Sequence, residues 1–270
     1  FEFKKTELKN FKDKKVVKIL TDTPKELTTL KANFEEEEIE TYEADLSFPR
    51  KFLIDHKINS LIEVNGDYEL QEDIRIYKEP EIKPSTKEIK LKVMSVDIET
   101  DPKAKEIFSI AIVQDKFEKV LIVSDKKLKK AESFEDEEDL LERFFEIINE
   151  EDPDIITGWN FIDFDLKVIR ERCKKLKVRF ALGKGGADAK LIIRPGYFET
   201  SKVIAQGRQI IDLLNWIRDT TKLENYKLET VAQHFLKEGK LKDVPYSQME
   251  EILKKDPQKI VNYNLQDAKI

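Results

Sequence analysis

Asp97 and Glu99 stand two residues apart inside the apolar run Val93-Met94-Ser95-Val96-Asp97-Ile98-Glu99-Thr100. Side chains of an extended strand alternate between its faces, so both carboxylates leave the same side. Their neighbours Val93, Val96 and Ile98 are expected to lie in a core. Two like charges on one half-buried face are unfavourable unless a cation neutralises them. Carboxylate oxygens are hard ligands, which points to a divalent metal ion. Asp and Glu together make up 55 of the 270 residues, so Asp-x-Glu alone carries little weight and further ligands must come from elsewhere.

A second acidic candidate lies in Trp159-Asn160-Phe161-Ile162-Asp163-Phe164-Asp165, where the strand expected to end at Gly158 turns into a helix. That is the carboxyl edge of the sheet, where ligands of α/β folds gather. Asp165 has an equally good reading as a first-turn acid interacting with the helix dipole. Asp163 competes with it, and spacing does not separate the two. The third candidate is Tyr263-Asn264-Leu265-Gln266-Asp267, in which Tyr263 and Asp267 are four residues apart and share a helical face. By itself that pair reads as a half-buried Tyr above a solvated Asp.

These residues need elements to hold them. After the Val93–Thr100 strand, Ser109–Val113 and Lys119–Val123 follow with short polar connections, as in an antiparallel meander. Ser133-Phe134-Glu135-Asp136 is expected to cap a helix with apolar positions Leu140, Leu141, Phe144, Phe145, Ile147 and Ile148. Asp154–Gly158 reads as a short strand, and a helix from about Phe164 to Leu176 returns across the sheet. A hairpin is expected over Ile192–Ala205, a last buried strand over Gln209–Leu214, and helices over Leu228–Leu236, Gln248–Leu253 and Pro257–Ile270. Residues 1–86 form a first, smaller α+β unit: a strand at Lys15–Leu20, a helix opened by Thr23-Pro24, a short helix at Pro49–His56, and a small sheet of Leu61–Val64 with Ile74–Tyr77. Pro80 and Pro84 mark a linker to a second unit, residues 87–270. A strand meander followed by alternating helix and strand is the layout of a ribonuclease H-like α/β fold.

Composition narrows the function classes. Hydrophobic residues make up 40% of the chain and charged residues 39%, which describes a globular protein with a heavily charged surface. No apolar run approaches a membrane span and nothing resembles a signal peptide. The single Cys173 excludes a disulfide framework and suits a core position and a reducing compartment. Two histidines, His56 and His234, are too scattered for a zinc site. A net charge of −6 argues against a large non-specific nucleic-acid surface, but not against a nuclease whose metal ions meet the phosphate. Abundant Lys and Glu with few Cys, Met and His fit a thermophilic source. Lys126–Lys130 and Lys174–Arg179 are basic clusters best read as solvated faces. Trp159 and Trp216 are expected in the core. The start at Phe1 and the stop at Ala268-Lys269-Ile270 inside a helical pattern are expected of a piece of something longer.

Asp97-Ile98-Glu99-Thr100, Asn160 with Phe164-Asp165, and Tyr263 with Asp267 resemble, in order and spacing, the three exonuclease motifs of the family B DNA polymerases, the archaeal replicative and bacterial polymerase II types. Asp152–Asn160, Leu228–Gln233, and Tyr42–Asp45 leading to Arg50–Asp55 also look like family segments. The resemblance implies a ribonuclease H-like exonuclease domain over 87–270, with a mixed five- to six-stranded sheet, behind a partial N-terminal domain over 1–86. It implies 3′→5′ removal of nucleotides from a DNA end, the proofreading step of replication, with two Mg²⁺ or Mn²⁺ ions about 3.5–4 Å apart. Asp97, Glu99 and Asp267 would hold one ion, with Asp97 shared and Asp165 supporting the second through water. Tyr263 would orient the attacking water, Asn160 and Phe164 would position the terminal nucleotides, and the 192–205 hairpin would help move the strand end. Implied partners are single-stranded or primer–template DNA, the polymerase palm, fingers and thumb, and a sliding clamp through the parent protein; no membrane is implied. The expected setting is the nucleoid-associated cytoplasm of a prokaryote, most simply an archaeon. The palm and the returning part of the N-terminal domain would lie beyond residue 270. Rival readings are a stand-alone nuclease of the same fold acting on RNA or repair intermediates, and a non-catalytic nucleic-acid-binding module.

Overall fold

The computed structural model describes residues 1–71, 74–194, 201–239, 241 and 245–270. The chain divides into two compact units, Phe1–Ile89 and Lys90–Ile270.

In the first unit, β1 (Glu2–Lys9) pairs antiparallel with β2 (Lys15–Leu20). Helix α1 (Pro24–Glu36) opens as its sequence requires: the Thr23 hydroxyl accepts from Glu26 N, and the Glu26 carboxylate accepts from Asp22 N. Helix α2 (Phe48–Asp55) follows, then β3 (Leu61–Asn65), β4 (Tyr68–Gln71), β5 (Ile74–Tyr77) and β6 (Glu81–Ser85). The small sheet is not the one expected. β5 pairs with its neighbour β4, while β3 reaches past both to pair with β6. Pro84 therefore lies in a strand, opposite Ile62, rather than in the linker. Both strands of a two-stranded sheet are edges, and an edge tolerates the missing N–H of proline.

The second unit is built on one sheet of six strands. Its members are β7 (Val93–Thr100), β8 (Ile107–Gln114), β9 (Phe117–Val123), β10 (Ala131–Phe134), β11 (Ile155–Gly158) and, near the end of the chain, Gln209–Asp212. β7, β8 and β9 form the antiparallel meander. β11 adds parallel to β7, and Gln209–Asp212 adds parallel to β11. β10 lies parallel to β9 at the far edge. Ser133 and Phe134 belong to β10, and Asp136 alone caps the following helix by accepting from Asp139 N at 3.0 Å.

Helix α3 (Glu137–Glu151) buries the six apolar side chains expected of it. With α4 (Leu166–Leu176) it covers one face of the sheet, where Met94, Val96, Ile98, Ile110 and Ile112 join its core. Cys173 is in this core, and burial pushes its thiol up to about 12. β12 (Lys190–Ile192) and β13 (Lys202–Ile204) pair as the base of the expected hairpin, whose residues 195–200 lie outside the described ones. Gln209–Asp212, now β14, runs into α5 (Leu213–Thr220), followed by α6 (Leu228–Phe235). Trp216 on α5 is 57% exposed, not in the core. Helices α7 (Met249–Lys255) and α8 (Pro257–Lys269) cover the second face, where Ala111, Val120 and Ile122 meet Met249, Ile260, Val261 and Leu265. The Lys126–Lys130 cluster serves this seam. Lys126 Nζ donates to the carbonyls of Lys254 and Lys255, and Gln258 holds the backbone of Lys129.

Candidate active site

Alternation along β7 sends Val96 and Ile98 into the α3–α4 core and Asp97 and Glu99 to the opposite face. Across the antiparallel register, Ala111 stands beside Asp97 and Ser109 beside Glu99. Both neighbours are small and fully buried, which lets α8 lie close over β7 and β8. The last turns of α8 then bring Asp267 to the two strand acids. Asp97, Glu99 and Asp267 each present a carboxylate oxygen, and the three oxygens lie within 4.8 Å of one another. Glu99 and Asp267 are both only 6% exposed.

The second motif is set by a tight turn after β11. A Cβ at Gly158 would stand 2.4 Å from the carbonyl oxygen of Val96, so only glycine lets the end of β11 lie this close to β7. Two residues on, Asn160 takes a left-handed conformation (φ 56°), which Asn adopts more readily than most residues. The chain then makes one π-helical turn, Phe161–Asp165, before α4. That wider turn separates the two acids that spacing left open. Asp163 points to solvent, whereas Asp165 is buried and accepts from Ile98 N at 3.2 Å. Burial, followed by the nearby charges of Asp97 and then Asp212, pushes the Asp165 carboxyl well above the usual carboxylate range. Asp165 is thus beside Asp97 but outside the close group of three.

Two residues that the sequence did not single out help build the site. Asp212, at the end of β14, accepts from Leu214 N as the N-cap of α5 and from Ile162 N in the π turn, both at 3.0 Å. It ties the turn that carries Asp165 to the sheet, and burial raises its own carboxyl above the ordinary value. Its signal was the polar residue closing an apolar strand before a helix. Asn264 is buried on α8, and its Nδ2 donates to Asp97 Oδ2 at 2.7 Å. Its position one residue after Tyr263 gave no hint of that partner.

Of the remaining sequence candidates, Tyr263 is half-buried on α8, one turn before Asp267, Asn160 is half-buried at the turn, and Phe164 is 36% exposed beside it. Acids alone at this density would repel one another in a low-dielectric site. Three hard oxygen donors converging from β7 and α8 suit a divalent cation. Asp165 is close enough to couple electrostatically.

Comparisons with known proteins bear on the family and the fold. The model of the DNA polymerase family B exonuclease domain matches residues 39–231. DNA polymerase II of Escherichia coli is 28% identical over 278 residues, 97% of this chain and 34% of that protein. The DNA polymerase of Thermococcus kodakarensis is 28% identical over 243 residues, 86% of this chain and 13% of that protein. The solved family B DNA polymerase of the hyperthermophilic archaeon Pyrobaculum calidifontis superposes with a TM-score of 0.70 at 20% identity, covering 99% of this chain and 36% of that one. That likeness supports the fold, including the ribonuclease H-like sheet. The chain spans about a third of the Escherichia coli relative. Among the described residues, no helix is long and apolar enough to cross a membrane. With its matched family model, its six-stranded sheet and its converging acids, this chain belongs to the family B DNA polymerases, of which it carries the exonuclease domain.

Proposed function

We propose that the unit Lys90–Ile270 is a 3′→5′ proofreading exonuclease and that the unit Phe1–Ile89 is part of the N-terminal domain of the same polymerase. The observation that carries this reading is the convergence of Asp97, Glu99 and Asp267 within 4.8 Å from two elements far apart in sequence. The substrate is the 3′ end of a DNA strand, delivered from primer–template DNA held by the remainder of a polymerase, itself open to a sliding clamp. The bacterial and archaeal relatives point to a prokaryotic cytoplasm as its setting.

Hydrolysis adds the oxygen of water to phosphorus as the bond to the 3′ oxygen breaks, releasing a nucleoside 5′-monophosphate. Asp97, Glu99 and Asp267 would hold one Mg²⁺ or Mn²⁺ ion, with Asp97 shared and Asp165 supporting a second through water. Bound there, divalent cations would supply a more acidic water and offset the charge growing on the departing oxygen. Tyr263, one turn before Asp267, orients the attacking water. A phenol both donates and accepts hydrogen bonds, which suits it to orienting a water. Asn160 and Phe164, at the rim of the turn, position the terminal nucleotides.

The test is degradation of 5′-labelled single-stranded DNA in Mn²⁺. Asp97→Ala is expected to cut the rate by about a thousandfold, the loss of several kcal/mol of charge stabilisation, while the chain stays folded. Unchanged degradation by this variant overturns the assignment. Faster cleavage of labelled RNA than of DNA would shift the reading to an RNA-directed nuclease of the same fold.

A further inference from the structure

A buried amide bridges the two elements that carry the acids. Asn264 is fully buried, and its Nδ2 donates both to Asp97 Oδ2 at 2.7 Å and to the Asp97 carbonyl at 3.1 Å. Its Oδ1 accepts from Ser109 Oγ at 2.8 Å. The Asp97 carbonyl can only accept, so the amino end of the amide must face Asp97, and the Ser109 hydroxyl must then donate to the other end. The partners leave the amide a single orientation. Ser109 is the cross-strand neighbour of Glu99, so this one residue ties α8 to both acid-bearing positions of the sheet.

A small apolar residue would fill this position without desolvating an amide. What it would lack is a hydrogen bond to a charged carboxylate, stronger and more directional than one between neutral groups. We propose that Asn264 is a positioning residue for the cation site. It holds the Asp97 carboxylate in the rotamer that converges with Glu99 and Asp267, and Ser109 locks the amide that does so. Groups that hydrogen-bond to a metal ligand fix its direction and commonly govern affinity as strongly as a lost contact would. The inference rests on the cation-binding reading of the three acids.

The experiment titrates Mn²⁺ alone into the 270-residue chain by calorimetry, for the wild type, Asn264→Ala, Ser109→Ala and Asp97→Ala. The Mn²⁺ concentration for half-maximal exonuclease rate is measured alongside, with melting temperature in EDTA as a control for folding. Asn264→Ala is expected to weaken Mn²⁺ binding about 10- to 100-fold. The half-activating Mn²⁺ concentration should rise by the same factor, and the rate at saturating Mn²⁺ should return close to that of the wild type. Ser109→Ala should move both quantities the same way by a smaller factor. A purely structural role would lower the melting temperature and leave Mn²⁺ affinity alone. Affinity within about twofold of the wild type in folded Asn264→Ala overturns the proposal, and the same result in Ser109→Ala does so if the first variant fails to fold. If neither the wild type nor Asp97→Ala binds Mn²⁺, the cation site itself is wrong. Binding lost in Asp97→Ala but kept in Asn264→Ala rejects this inference alone.

Discussion

Val96 and Ile98 are buried against α3 and α4, while Asp97 and Glu99, their immediate neighbours on β7, meet α8. One side of the strand is packed in a core that is apolar but for the Cys173 thiol. The other gathers carboxylates, an amide and a hydroxyl. The contrast separates the source of stability from the source of chemistry by a single step along the backbone. The apolar side provides the burial that makes the polar side tolerable, because convergent acids without a cation oppose folding.

The largest effect that would sharpen this contrast is on the apolar side. Phe144, fully buried on α3, packs in the core that holds Val96 and Ile98. Phe144→Ala is expected to cost about 3–5 kcal/mol of stability through lost burial and a residual cavity. Denaturant unfolding measures this, and calorimetry on the fraction still folded should find Mn²⁺ affinity close to that of the wild type. A large loss of affinity there would mean that the two sides are not separable.

A smaller effect of opposite sign is expected on the polar side. Burial and the charge of Asp97 raise the Asp165 carboxyl in the folded chain, so the folded state holds its proton more tightly than the unfolded one. Stability of the metal-free chain therefore falls as pH rises from the ordinary carboxylate range through the raised value. Asp165→Asn removes that titration. In EDTA at neutral pH it should melt higher than the wild type. The difference should vanish in acid, and exonuclease activity should fall. A variant that melts lower at neutral pH would show that the carboxylate stabilises the fold, and the contrast between the two sides would break.

What the sequence disclosed follows the same division. Alternation along residues 93–100, the helical spacing of α3 and the four-residue step from Tyr263 to Asp267 are local periodicities, and each was readable because burial imposes it. Partners distant in sequence were not readable. Asn264 looks like any polar helix residue until Asp97 and Ser109 are folded against it. β10 is a four-residue edge strand, too short for its period to show beside a capping signal. The choice between Asp163 and Asp165 depended on a π turn, which adds a residue that no 3.6-residue pattern predicts.

The first unit was the harder to read for a related reason. Ile58 is its only buried apolar side chain among the described residues, and neither α1 nor α2 buries any residue fully. With so little burial there is little amphipathic pattern to fix pairing, so the jump of β3 over the β4–β5 hairpin to β6 left no trace in the sequence. Trp216 was misplaced because aromatic content alone does not say which face of a short helix is covered.

The most direct test of the account is a crystal structure of the chain soaked in Mn²⁺, read by the anomalous signal of the metal. The expected map has a peak touching carboxylate oxygens of Asp97, Glu99 and Asp267 together. A map with no peak there, or with Mn²⁺ bound only elsewhere on the chain, would contradict it.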